Sequence, residues 1–404
     1  MVFSYYYYIG DSMNKIDILK DYFGYDSLKK EQERVIDSVL SLTDTIGVLP
    51  TGYGKSVAFQ IPALLFRDLT LVITPLISLM QDQVVSLKRK GIKAEYISSL
   101  QNDEEIDNIY DKLKRNRIKL LYIAPERLLT KKFLKNLTNI KISLIVIDEA
   151  HTLLWGEDFR KSMLDIPSFI SFLGYKPVIL ALTATANKAT LEKITKIGGL
   201  LNPNIFVINC DRDNIFYKIV KTNNKIKDLL KNLGYEKTII YTLTIKSAEE
   251  LYEYLGEKGY NSFLYHGELD KERKKEEQKN FCKASDGVMV ATNAFGMGID
   301  IPDIRKVILF DMPSCIEDFM QQTGRASRDG KYAEAVLLFN MKDINTISFF
   351  IEKIADKAVK KNRYDKLEKM VSLCLSNKCI HKVTCEYFGV KYKKKKCMMC
   401  SNCK

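Results

Sequence analysis

The chain contains no apolar run of the ~18–20 residues needed to cross a bilayer as a helix, which excludes a helical membrane span. Its opening, Met1-Val-Phe-Ser-Tyr-Tyr-Tyr-Tyr8, lacks the basic start of a secretory signal. The expected setting is therefore intracellular, where thiols stay reduced: the cytoplasm in a bacterium, the nucleus in a eukaryote. No internal repeat recurs at a fixed short period, which argues against a solenoid. There is a single tryptophan, Trp155. The first 350 residues are also close to neutral.

What is present is a globular composition, 46% apolar and 28% charged over 404 residues, enough for two or three domains with full cores. The net charge of +13 is concentrated at one end, since residues 351–404 carry 15 Lys/Arg against five Asp/Glu. A basic end on an otherwise neutral chain suggests a polyanionic partner, although Lys393-Lys-Lys-Lys396 alone fits a solvated tail equally well. Residues 1–12 are expected to be a disordered extension, with Met13 as an alternative start.

Ile46-Gly-Val-Leu49 reads as a short buried strand. The turn after it, Pro50 to Gly54, brings Thr51, Gly52 and Gly54 to the start of a helix at Lys55. Glycine lets backbone N–H groups wrap close around phosphate oxygens, and the helix points its positive end at the same anion. Lys55 is the candidate to hold β/γ-phosphates, and Ser56 to ligate Mg²⁺. The general G-x4-G-K-[ST] pattern is incomplete, because Leu49 replaces its first small residue. Further on, the apolar run Ser143–Ile147 ends in Asp148-Glu-Ala-His151. Two acids at the carboxyl end of a buried strand make poor packing unless they face a ligand crevice. Asp148 is then the Mg²⁺ partner, and Glu149 the group that orients or deprotonates water. A solvated loop is the bland alternative.

Strand patterns alternate with helical ones over residues 13–205: Ile46–Leu49, Leu71–Thr74, Leu120–Ile123, Ser143–Ile147 and Val178–Leu182. A Gly/Asn/Asp-rich stretch at 199–214 reads as a link. A second series follows: Ile215–Val220, Thr238–Tyr241, Ser262–Tyr265, Gly287–Ala291, Val307–Phe310 and Ala335–Phe339. In it, Gln321-Gln-Thr-Gly-Arg-Ala-Ser-Arg328 places Arg325 and Arg328 three apart, on one face if helical. Arginine neutralises charge on a transferring phosphoryl group, but two surface arginines are the plainer reading. From about 345 the pattern is helical, then cysteine-rich. Six of the nine cysteines fall in the last 31 residues. Cys397, Cys400 and Cys403 sit on one tight turn, three thiolates in want of a fourth. A structural zinc site suits a reducing compartment better than a disulfide knot. Spacing alone leaves the fourth ligand open among the upstream cysteines and His381.

Together these segments resemble the RecQ family of superfamily 2 DNA helicases over about residues 20–404. Phe23-Gly-Tyr…Gln32 is similar to the family's adenine-recognition motif, with Gln32 as the reader, and Leu49–Gln60 to motif I. Thr74-Pro75 and the residues after them resemble motif Ia, a DNA-backbone contact. Asp148–His151 matches motif II, Leu182–Ala186 motif III, Ala291–Ile299 motif V and Gln321–Arg328 motif VI. The resemblance makes Arg325 and Arg328 arginine-finger candidates and puts Gln321 with the nucleotide contacts. Trp155-Gly-Glu-Asp-Phe-Arg160 is similar to an aromatic-rich loop in which Trp155, Phe159 and Arg160 would meet DNA. It also assigns Cys379 as the fourth zinc ligand, leaving Cys374, Cys385 and His381 to packing.

The implied architecture is α/β: two tandem RecA-like parallel-sheet domains, 13–207 and 208–344, then a small helical zinc-binding module, 345–404. The implied activity is ATP-dependent, 3′ to 5′ movement on single-stranded and partly duplex DNA. ATP, Mg²⁺ and Zn²⁺ are the implied cofactors. No membrane partner is expected, and protein partners are not indicated. An RNA-directed helicase and an annealing scaffold with weak ATPase are the rivals. Departures from the family pattern are Leu28, Lys29, Ser327 and the short Thr152-Leu-Leu154 before Trp155. The sequence is expected to be a short form, without winged-helix or C-terminal helical domains.

Overall fold

The computed structural model describes residues 13–50, 53–75, 77–155, 161–184, 186–208, 211–295 and 301–404. The chain divides into two compact units, Met1–Ile208 and Asn209–Lys404. Among the described residues, no helix is long and apolar enough to cross a membrane.

The first unit is built on seven strands: β1 (Thr45–Val48), β2 (Leu69–Ile73), β3 (Ala94–Ile97), β4 (Leu120–Ile123), β5 (Ile142–Ile147), β6 (Val178–Thr183) and β7 (Asn204–Val207). They lie in the order β3-β4-β2-β5-β6-β1-β7, and every pairing is parallel. Strand β5 shows why. It reads Ile-Ser-Leu-Ile-Val-Ile and is buried along its whole length. Successive side chains point to opposite faces. Thus Ile145 and Ile147 join one apolar cluster, while Leu144 and Val146 join another across the sheet. A strand apolar on both faces needs helices on both sides, as parallel sheets require.

Two strands of this sheet escape the sequence reading. Strand β3 is a four-residue edge strand that carries a charge, Glu95, and buries only its two ends. Strand β7 lies inside the stretch read as a link. It is the opposite edge and is largely exposed. Strand β3 lacks the continuous apolar signature of a central strand, whereas β7 has a short apolar run, Ile205-Phe-Val-Ile208, set between Gly/Asn-rich and Asp/Asn-rich segments.

The second unit has six parallel strands in the order β10-β11-β9-β12-β13-β8. These are β8 (Ile215–Lys221), β9 (Thr238–Tyr241), β10 (Ser262–Tyr265), β11 (Val288–Ala291), β12 (Lys306–Leu309) and β13 (Ala333–Phe339). All six fall where the sequence places them, within one or two residues. Three helices follow, Lys342–Glu352, Lys357–Leu375 and Ile380–Tyr387. They share one core with the sheet: Leu367, Met370, Ile380 and Cys385 pack in the same cluster as Tyr217, Phe319 and Leu337. A buried charge network pins the first helix. Lys225 Nζ lies 2.7 Å from Asp311 and 2.6 Å from Asp343. Two parallel-sheet units and a helical, cysteine-bearing end are the expected fold class.

Candidate nucleotide site and metal centre

Motif I and motif II meet at the carboxyl edge of the first sheet, where β1 and β5 end. Gly54 has φ of +86° and caps the helix Lys55–Leu65, which presents Lys55 and Ser56 on its first turn. Lys55 Nζ reaches Glu149 Oε1 at 2.7 Å, with both side chains about 15% exposed. Glu149 itself sits in the left-handed region at φ +50°, and its N–H donates to Asp148 Oδ1 at 2.9 Å. The Asp148 N–H donates to Ile73 O of β2 at 3.0 Å, which fixes the acid at the strand end. Burial, then repulsion from Glu149, pushes the Asp148 carboxyl up to about 6, against the pull of Lys55. A cation close to that carboxylate would reverse the shift. His151 Nδ1 and Thr183 Oγ1 are 3.1 Å apart, tying motif II to motif III.

Gln32 braces this loop. Its Nε2 donates to Tyr53 O at 2.8 Å and Gly54 O at 3.1 Å, while its Oε1 accepts from Lys29 N. A Cβ on Gly54 would stand 2.2 Å from that Nε2, so any larger residue there must push the Gln32 amide aside, on top of the left-handed φ. Tyr53 is held by its hydroxyl donating to Glu31 at 2.6 Å and by Lys29 over its ring at 4.6 Å. Burial and Glu31 together push the Tyr53 hydroxyl up to about 12. Tyr53 and Glu31 were missed from sequence, since nothing in an i to i+22 spacing announces the contact. Thr51 and Gly52 lie outside the described residues.

In the second unit the helix Ile316–Thr323 carries Gln321 in its last turn and stops before the arginines. Arg325 and Arg328 therefore lie beyond the helix and do not share a helical face. Arg325 is buried, at 7% exposure. Both guanidinium groups act on the buried Tyr241, whose hydroxyl is held above its ordinary range by burial and drawn down by the two arginines.

The four sulfurs of Cys379, Cys397, Cys400 and Cys403 lie within 4.8 Å of one another. Tetrahedral zinc with Zn–S of ~2.3 Å needs sulfurs about 3.8 Å apart, so a small contraction closes the site. Met399 N–H donates to Cys397 Sγ at 3.3 Å, the backbone bond that steadies a thiolate. Cys374 and Cys385 are buried outside this group. His381 also stands apart, bound through Nδ1 to Asp211 and through Nε2 to Met399 O at 3.0 Å. It supports the metal loop from behind.

Three family models match the chain in order. They are DEAD/DEAH box helicase over residues 29–194, helicase conserved C-terminal domain over 221–330, and RecQ zinc-binding over 341–404. The ATP-dependent DNA helicase RecQ of Synechocystis sp. is 34% identical over 82% of this chain and 72% of its own length. The chain belongs to the RecQ family. The Bacillus subtilis RecQ, also an ATP-dependent DNA helicase, is 41% identical over 96% of this chain. The chain spans 66% of the length of that relative. Among solved structures, S. cerevisiae Dbp5 bound to RNA and ADP BeF3 superposes with a TM-score of 0.65 at 18% identity. That match covers 88% of this chain and 97% of the other, and speaks for the fold alone.

The RecQ zinc-binding match takes in this cysteine cluster and supports Zn²⁺ as the metal it would hold. The RecQ pattern also explains one departure. Ser327 stands where the family has glycine, and its φ is +46°, a region that favours glycine. Its carbonyl accepts from Arg212 at 2.7 Å, and its hydroxyl from Asn214 at 3.0 Å. Asp329, two residues on, is clamped by Arg305, which holds its carboxyl down at about 2. These bonds offset a left-handed serine, which costs ~1–2 kcal/mol. Thr74 and Pro75 are buried at the end of β2. Trp155 closes the short turn Ala150–Trp155. Phe159 and Arg160 lie outside the described residues.

Proposed function

We propose that the protein is an ATP-dependent DNA helicase and translocase that moves 3′ to 5′ on single-stranded DNA, serving repair or recombination inside the cell. The observation that carries this reading is the Lys55–Glu149 pair at 2.7 Å beside Asp148, which joins a phosphate-holding cation to a base at one sheet edge. Lys55 would exchange its carboxylate partner for the β/γ-phosphates. That exchange would free Glu149 to take a proton from water. Mg²⁺, held by Ser56 and Asp148, would neutralise phosphate charge. Gln32 would read adenine while bracing the loop, with Thr51, Gly52 and Gly54 lining the phosphates and Gln321 contributing from motif VI. Arg325 and Arg328 are assigned to charge developing on the γ-phosphoryl group. Trp155, Phe159 and Arg160 are assigned to DNA stacking. Thr74 and Pro75 shape the turn into the helix Ile77–Arg89 for backbone contact. On this reading residues 13–207 bind ATP, 208–344 form the second helicase domain, and 345–404 the zinc module.

Strand displacement on duplexes with a 3′ or a 5′ overhang tests the reading, with phosphate release measured alongside. Unwinding of the 3′-tailed duplex with DNA-stimulated turnover is expected. Turnover that RNA stimulates better than DNA, or that neither polymer stimulates, would overturn it.

A further inference from the structure

The nucleotide residues occupy the carboxyl ends of the first sheet's strands. At the opposite end, under the amino ends of the contiguous strands β3, β4, β2 and β5, lies a cavity of about 730 Å³. That volume suits a drug-sized ligand. Its apolar surface includes Leu65, Ile92 and Ile118, all buried. Its polar lining is unbalanced: Arg67, Lys93, Lys119 and Lys141 contribute four cations, against the single acid Asp68.

Lys119 makes the imbalance costly. Its ammonium donates to the backbone carbonyls of Phe66, Arg67 and Asp68, and none of these bonds goes to a carboxylate. Asp68 instead accepts from Ser143 Oγ at 3.1 Å. Burial pulls the Lys119 amine down to about 8, with Asp68 opposing at a distance. Those three bonds use all three N–H donors of the ammonium, so Lys119 would act on an anion through its partly buried charge and not through a further hydrogen bond. Arg67, Lys93 and Lys141 stand exposed around it and add to the same field.

We propose that this cavity binds a small anionic amphiphile, its apolar body against Ile92 and Ile118 and its charged head facing the Lys119 side of the wall. The site is separate from ATP hydrolysis and does not depend on that reading. It lies along the same strands, roughly 16–20 Å from the nucleotide residues by the rise of β2 and β5. The shared chemistry fits either an aromatic sulfonate or a fatty carboxylate, so the test takes both.

Isothermal titration of the full folded chain with anilinonaphthalenesulfonate, and separately with laurate, should show one saturable site for at least one anion. Dodecyltrimethylammonium, similar in size but cationic, should not compete. Lys119→Met, which keeps the stem and removes the charge, should weaken binding at least about tenfold. Asn139→Trp, at an exposed position on the rim, should block the mouth and leave melting unchanged. It carries the test alone if Lys119→Met does not fold. Failure of both anions to bind, equal competition by the cation, or parent-like binding in Asn139→Trp would each overturn the proposal.

Discussion

Replacing Gly54 with alanine probes whether Gln32 braces the phosphate loop. The new Cβ would fall 2.2 Å from Gln32 Nε2 and must expel it. Two hydrogen bonds, to Tyr53 O and Gly54 O, are lost with it. At ~0.5–1.5 kcal/mol each they account for ~1–3 kcal/mol. The left-handed φ of +86° adds ~1–2 kcal/mol for any residue with a Cβ. The sum is ~2–5 kcal/mol, a fall of roughly 4–20 °C in melting temperature for a unit of this size. Nucleotide affinity should drop with it, because the loop that carries Lys55 has moved. The diagnostic is the cycle with Gln32→Ala. Once the glutamine is gone, alanine at 54 costs only its backbone strain, so the two changes should couple by ~1–3 kcal/mol. Calorimetric melting and titration of a fluorescent ATP analogue read both quantities. Strictly additive losses, or a Gly54→Ala protein that melts and binds like the parent, would show that Gln32 does not hold the loop.

Glu149→Gln should retain nucleotide binding and stop turnover, since the amide still bonds Lys55 but accepts no proton. Equal loss of binding and turnover would make Glu149 structural. Cys400→Ser should lose the zinc and destabilise the second unit, whereas Cys385→Ser should keep about one metal per chain by elemental analysis. Asp329→Asn should cost ~1 kcal/mol near neutral pH by removing the Arg305 clamp. The Asp329 carboxyl is depressed to about 2. Its contribution is therefore complete above the unfolded value of ~3.9 and fades as pH falls towards 2. The melting gap between parent and variant should narrow over that window and close below pH 2, and an undiminished gap at pH 2 would refute the linkage.

How much of this was legible depends on how local the signal is. Central strands such as β5 announce themselves because both faces are buried and nearly every position is apolar, Ser143 excepted. Edge strand β3 need satisfy only one neighbour, so Glu95 is tolerated and the pattern dissolves, whereas the short apolar run of β7 is obscured by the turn-rich residues on both sides of it. Lys55 and Asp148–Glu149 were readable from motif order, because phosphate and metal chemistry restrict the residue types. The cysteine turn was readable too, but its fourth ligand came from resemblance to the family, since spacing left His381 open. Gln32's hold on the loop, and Ser327's left-handed backbone, were not readable. Each depends on partners twenty to over a hundred residues away, Tyr53 and Gly54 for one, Arg212 and Asn214 for the other. The cavity under β2 to β5 is the extreme case, assembled from chain segments that have no pattern in common.

The zinc loop has one more consequence, for solubility. Strand β8 ends the second sheet and would offer a row of bare backbone groups to any passing strand. The cysteine turn lies along it: Tyr217 N–H donates to Met399 O at 3.0 Å, and Tyr217 O accepts from Ser401 N–H at 2.9 Å. Ser401 Oγ adds a third bond, from Ile219 N–H at 3.3 Å. A metal held by these cysteines would fix this lid over a sticky edge. Chelation would strip that cover from a nearly intact sheet, and the first sign of zinc loss should be self-association, visible by light scattering before the sheets themselves unfold.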